Sequence, residues 1–244
     1  MSWYPDDATA DSVQSRLNLS QIMLNSLVRA IVRGDFAGEA EFPTEGEIAA
    51  TFKVSKPTAR ETLKLLQALG LVEIVHGRRT ALTAMTEWDV LAPSVAAAFK
   101  AEGRGAELAR QYWQLRQVIE RSCASLAAAH ATATERDDII RLSNEMRQAA
   151  VAPENVRTIL DLDRDFHDLI GRASRNLALR RVATLAHHFL AWSSDSKLKP
   201  ELFGVLVDQH AAIAQAIARA DTAGAAKAMD EHIDWAKEIE GDNE

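Results

Sequence analysis

The sequence predicts a mainly α protein in two parts, an N-terminal winged helix-turn-helix domain and a C-terminal all-α antiparallel helical bundle. Three observations predict it. Helix-start signals at Thr44 and Ser55 are followed by a glycine stop at Gly70. The next segment alternates in β fashion around His76-Gly77. From Thr86 onward almost every stretch is rich in Ala and Leu with apolar residues at helical spacing. A chain of 244 residues accommodates two modest domains, and 47% hydrophobic residues supply a sizeable core.

Residues 1–14 carry no periodic apolar pattern and are expected to be a mobile N-terminus. The winged helix-turn-helix domain is expected over 15–85. Its first helix runs from Leu19 to Val32, with Ile22, Leu27 and Ile31 on one face and Gly34 at its end. Thr44 and Glu47 form a capping box that starts the second helix at Ile48-Ala49. Ser55 caps the third, with Pro57 tolerated in its first turn and Leu63, Leu66 and Leu69 on its buried face. Leu71 to Val75 and Arg79 to Thr83 then form a hairpin. A connector helix is expected over 86–105, within which helix runs from about 87 to 101. Residues 106–240 are expected to form the helical bundle, with breaks at Ala152-Pro153, Ser174 to Asn176, Lys199-Pro200 and Asp221.

Composition excludes several classes. No apolar run reaches the length of a membrane span, and the acidic, polar N-terminus does not resemble a signal peptide, so a cytoplasmic protein with no membrane partner is expected. The single Cys123 excludes an intramolecular disulfide and a cysteine-built zinc site, and reads as a core residue. The net charge of −7 argues against nucleic acid only if charge is spread evenly. It is not: Lys53, Lys56, Arg60 and Lys64 lie close together with only Glu61 among them, and Arg78 and Arg79 follow.

A recognition helix puts side chains of its first two turns into the major groove. In Val54 to Leu63, Lys56 and Arg60 are four apart and share a face, while Thr58 and Ala59 are small enough for close approach. Arg60 suits bidentate contact with guanine, and Lys56 and Lys64 suit phosphates. Thr44 and Ser55, at the starts of the two helices, offer hydroxyls and nearby backbone amides to the DNA backbone. Gly77 makes a tight wing tip, with Arg78 and Arg79 beside it.

The segment from Ile31 to Leu82 resembles the winged-helix head of GntR-family regulators. The matching residues are Gly34, Pro43-Thr44-Glu45, Glu47-Ile48-Ala49, Val54-Ser55, Arg60-Glu61 with Leu63, and Leu66 with Gly70-Leu71. The chain departs from the pattern where most members carry Arg, having Glu41, Gly46 and Lys56 instead. One such head reads only a short half-site, so a homodimer on a double-stranded pseudo-palindromic operator is expected, and the resemblance implies repression as the commoner mode.

In the bundle, Asp163 and His167 are four apart and project from one helical face. His210 begins an apolar stripe with Ile213 and Ile217, and His232 falls on the last helix after a return. Spacing alone leaves two readings: ordinary buried, hydrogen-bonded histidines, which is the commoner outcome, or ligands of a divalent metal. His130, His187 and His188 show no clear partner and read as structural. Residues from about Tyr112 to Ala236 resemble the FCD sensor domain of the FadR-type branch, through Leu115-Arg116 with Glu120, Asp163 to His167 with Ser174 and Asn176, Gln209-His210 with Ile213, and Ala228-Met229 with His232. The resemblance implies metal ligation by Asp163, His167, His210 and His232. Zinc leads the candidate metals, with nickel or manganese as alternatives.

Open positions on such a metal accept a small carboxylate effector. Arg116 is its candidate anchor, the alternative being a salt bridge with Glu120. The connector Glu87 to Leu91 resembles that of sugar-acid regulators such as the galactonate repressor, which implies a sugar acid or another organic acid as effector. Two other functions are weighed: a metal-responsive regulator with the ion as signal, and a metal-dependent hydrolase-like enzyme. The enzyme lacks an evident general base, since Asp165 points off the ligand face, and it leaves the head unexplained.

Overall fold

The computed structural model describes residues 7–37, 41–75, 79–193 and 199–241. The chain divides into two compact units, Met1–Ala106 and Glu107–Glu244. The first contains α1 (Asp7–Arg33), α2 (Glu45–Phe52), α3 (Lys56–Ala68), the antiparallel pair β1 (Val72–Glu73) and β2 (Ala81–Leu82), and α4 (Pro93–Ala101). The second is all helical: α5 (Gly105–His130, beginning just before the division), α6 (Ala133–Ala149), α7 (Val156–Ala173), α8 (Leu177–Ser193), α9 (Phe203–Ala218) and α10 (Thr222–Gly241).

In the first unit the start signals act as expected. Thr44 accepts from the Glu47 amide at 3.3 Å while Glu47 accepts from the Thr44 amide at 2.7 Å, closing the capping box. Ser55 caps α3 through the Thr58 amide, at 3.3 Å. Gly70 ends that helix with φ +71°, and a Cβ there would collide with the Glu87 carbonyl, so only glycine fits. β1 and β2 pair Val72 with Leu82 and Glu73 with Ala81, forming the base of the wing. Met23, Leu27, Ile31, Ile48, Leu63, Leu66, Leu71 and Phe99 are buried and form the core.

Three local expectations are corrected. Helix α1 begins at Asp7, so residues 7–14 are helical; adding turns to an existing helix is far cheaper than nucleating one. Ile22 is exposed, and its neighbour Met23 is the buried residue. Residues 88–92 are not helical, because α4 starts at Pro93, whose ring is suited to the first turn and pushes the preceding residue out of helical geometry. Helix α4 packs on α1, and Glu102 just beyond it binds Arg29 at 2.6 Å and Arg33 at 3.3 Å.

In the second unit, α6 packs on α7 and α9, α7 on α8, and α9 on α10. Helix α5 is fastened by Tyr112 stacking on Phe189 (3.9 Å), by Gln117 donating to Asp234 (3.0 Å) and by an Arg121–Asp230 ion pair (2.9 Å). Cys123 is buried outside any disulfide, and burial pushes its thiol up to about 11. Among the described residues no helix is long and apolar enough to cross a membrane.

Candidate metal centre and nucleic-acid interface

Helix α7 is strongly two-faced. Ile159, Phe166, His167 and Ile170 are buried, while Arg164 and Asp165 are exposed. Asp163 sits one turn before His167 at the edge of the buried face. Helices α9 and α10 return against each other and bring His210 and His232 to the same place. One donor atom from each of these four residues lies within 4.8 Å of all the others. His210 Nε2 is 3.0 Å, and His167 Nε2 3.7 Å, from Asp163 Oδ1.

The histidines are held from behind. His210 Nδ1 donates to the Leu206 carbonyl at 2.8 Å, and His232 Nδ1 donates to Gln209 Oε1 at 3.1 Å. That leaves the Nε2 lone pairs turned inward, buried without a well-formed hydrogen bond among the described residues. A buried polar atom without a partner is costly. Three neutral imidazoles and a carboxylate are also a donor set that divalent cations accept. Ligands about 2.1 Å from one ion lie at most about 4.2 Å apart, so the cluster needs to close by about half an ångström to fit.

The electrostatics follow from burial. His167 holds the Asp163 carboxyl well below the usual carboxylate range despite its burial. Burial and the neighbouring His210 keep His232 well below the usual imidazole range. Burial alone would lower His167 too, but the Glu120 and Asp163 carboxylates raise it to about 9.

Arg116 is buried on α5. Its Nε binds Glu120 Oε1 at 2.5 Å and its Nη2 lies 3.4 Å from His167 Nε2, so it has the Glu120 partner and also faces the cluster. His187 is a residue that sequence reasoning missed. Its Nε2 lies 3.6 Å from Asp163 Oδ2, and burial lowers it to about 3. Its spacing from Ala183 and Leu190 places it on the inner face of α8, which was a usable signal; the adjacent His188 is exposed. A cleft of about 330 Å³ between α7 and α8 reaches Glu120, His167 and His187, with Arg164 and Arg180 at its edge. His130 is exposed and outside this group.

In the first unit, Lys56, Arg60 and Lys64 are exposed along α3, with Thr58 half-buried. Glu45 grips Arg60 with both oxygens, at 2.9 and 3.2 Å, and Glu61 binds Lys64 at 2.8 Å. Arg79 turns back on Glu41, on Glu47 (3.3 Å) and on the Phe42 carbonyl (3.3 Å). Thus Glu41, an acid where arginine is the usual residue, occupies a wing cation. His76, Gly77 and Arg78 lie outside the described residues.

Residues 21–82 match the model for bacterial regulatory proteins of the gntR family, and residues 107–234 match the FCD domain. The chain belongs to the GntR family and carries an FCD domain. It is similar to the HTH-type transcriptional regulator YieP of Escherichia coli K12, at 27% identity over 227 residues, covering 90% of this chain and 94% of YieP. It is also similar to the HTH-type transcriptional repressor NanR of Escherichia coli K12, at 27% over 224 residues, covering 90% of this chain and 83% of NanR. Among solved structures, that of Lar, which controls expression of the Listeria monocytogenes agr system, has a TM-score of 0.56 at 15% identity. It covers 92% of this chain and 97% of its own, a likeness of fold. This GntR-family chain is a transcriptional regulator and not an enzyme.

Proposed function

We propose that this regulator binds operator DNA through α3 and the wing, and that its FCD domain holds a divalent metal and a small carboxylate effector that alters operator binding. The observation that carries the metal reading is the convergence of Asp163, His167, His210 and His232, with the inward nitrogens of His210 and His232 buried and unsatisfied. A cation bound there supplies open coordination positions to a carboxylate. Arg116, beside His167, supplies a guanidinium to the same group. The effector is a sugar acid or a related organic acid, and the metal is zinc ahead of nickel or manganese.

On the DNA side, Arg60 reads a base edge, Thr58 lies close to the bases, and Lys56, Lys64, Thr44 and Ser55 engage the backbone, with Gly77, Arg78 and Arg79 at the wing. Surface ion pairs such as Arg60–Glu45 are weak enough for a phosphate or a base to replace. The protein acts as a cytoplasmic homodimer on two half-sites, and as a repressor, as the similar NanR is named. The effector shifts operator affinity by binding one arrangement of the dimer better than the other.

The test is a gel-shift assay on the intergenic DNA upstream of the gene, with metal-loaded and metal-stripped protein and a panel of sugar acids and dicarboxylates. A specific shift that one acid changes only in the presence of metal is the expected result. No specific shift under any condition overturns the operator reading. An acid effect that survives metal removal overturns the metal's part in it.

A further inference from the structure

The three histidines of the cluster turn Nε2 toward one another and Nδ1 outward, but the outward nitrogens end on unlike acceptors. His210 ends on a backbone carbonyl and His232 on a side-chain amide, both neutral. His167 Nδ1 lies against Glu120 Oε2 as a charge contact, and neither atom makes a well-formed hydrogen bond to any described residue. The Glu120 side chain is 4% exposed, and its second oxygen is held by Arg116 one helical turn earlier on α5. Keeping a carboxylate this deeply buried is costly even when it is paired. A neutral acceptor would have served His167 as neutral acceptors serve the other two.

We propose that Glu120 is a positioning residue of the metal centre, fixing the tautomer of His167 and shielding the bound cation from Arg116. This rests on the metal reading above. An ionised carboxylate only accepts, so the proton stays on His167 Nδ1 and Nε2 is the nitrogen left for the metal. A charged acceptor also makes the imidazole a stronger donor than a neutral one does. The second part of the role is electrostatic. Arg116 Nη2 lies 3.4 Å from His167 Nε2, where an unopposed guanidinium would repel a dication. Glu120 touches both groups and offsets that charge. The Arg116-x-x-x-Glu120 element of α5 is therefore part of the metal site as well as of the bundle's packing.

The test is a Co²⁺ and Zn²⁺ titration of the metal-stripped full-length protein, followed by calorimetry and by the visible spectrum of the Co²⁺ form. Glu120→Gln is expected to weaken binding ~10–100-fold, the range for losing such a supporting group, and to shift the Co²⁺ bands. Because this variant removes the charge of Glu120 from beside buried Arg116, the double variant Arg116→Gln/Glu120→Gln is measured beside it. The double variant carries neither charge and is expected to fold and to bind about tenfold more weakly than wild type. Double-variant binding within about threefold of wild type, with an unchanged Co²⁺ spectrum, overturns the role of Glu120. Wild-type protein that binds neither ion overturns the metal reading itself, which is a separate result.

Discussion

In the N-terminal unit the charged side chains of interest lie outside the core and are neutralised by neighbours. Arg60 is 62% exposed on Glu45, and Arg79 is 42% exposed on Glu41 and Glu47. In the C-terminal unit the corresponding groups are inside: His210 and His232 are almost inaccessible, and the Arg116–Glu120 pair is under 10% exposed. The difference is one of exchangeability. An exposed pair is worth ~0–1 kcal/mol and gives way to a stronger partner. A buried group cannot be re-solvated, so its partners must be in place on folding. The pairs of the head are thus open to exchange, whereas the cluster of the bundle is set by folding itself.

The largest expected effect tests the buried side. A metal present at about a hundredfold excess over its Kd stabilises the protein by ~2.7 kcal/mol. His210→Ala is expected to abolish that gain, seen as thermal melts that no longer move on adding Zn²⁺. A variant that still gains the full shift would place the ion elsewhere.

The next tests the exposed side. Arg60→Ala is expected to weaken operator binding by ~1–3 kcal/mol and to relax preference at one base pair. Lys64→Ala is expected to weaken all sequences alike and to lower the salt dependence by about one phosphate contact. Quantitative gel shifts on an operator library at several salt concentrations separate the two. Identical behaviour of both variants would mean that Arg60 reads no base.

The last test is a pH slope confined to the bundle. The Glu120 and Asp163 carboxylates raise His167 to about 9, above its unfolded value near 6.5. The folded state then holds the extra proton between those values, so this contribution is complete below pH ~6.5 and is lost as pH rises toward 9. One proton corresponds to up to ~1.4 kcal/mol per pH unit. Denaturant unfolding of metal-free protein should show this decline. Metal-loaded protein should lack it, because a ligating His167 has already lost the proton. The same slope in both forms would count against His167 as a ligand.

The local parts of the fold were legible because their causes are local. Thr44 with Glu47, Ser55 with Thr58, and Gly70 each act within a few residues, and each does in the structure what its chemistry requires. The pairing of Asp163 with His167 was legible for the same reason, since one helical turn fixes both. The alternation of apolar residues also separated the strands of the wing from the helices around them.

Local chemistry along the chain thus specifies the order and type of the elements and the pairs that one turn of helix brings together. Which faces meet follows from packing between distant segments. Met23 is inside and Ile22 outside because α3 and α4 cover one side of α1. His187 joins Asp163 because α8 packs on α7, and Arg79 reaches Glu41 across the turn of the chain. The role proposed for Glu120 has the same origin. From the sequence it is a partner for Arg116 four residues away. Only the approach of α7 to α5 adds His167 Nδ1, and with it a physical reason for a carboxylate there in place of a neutral acceptor.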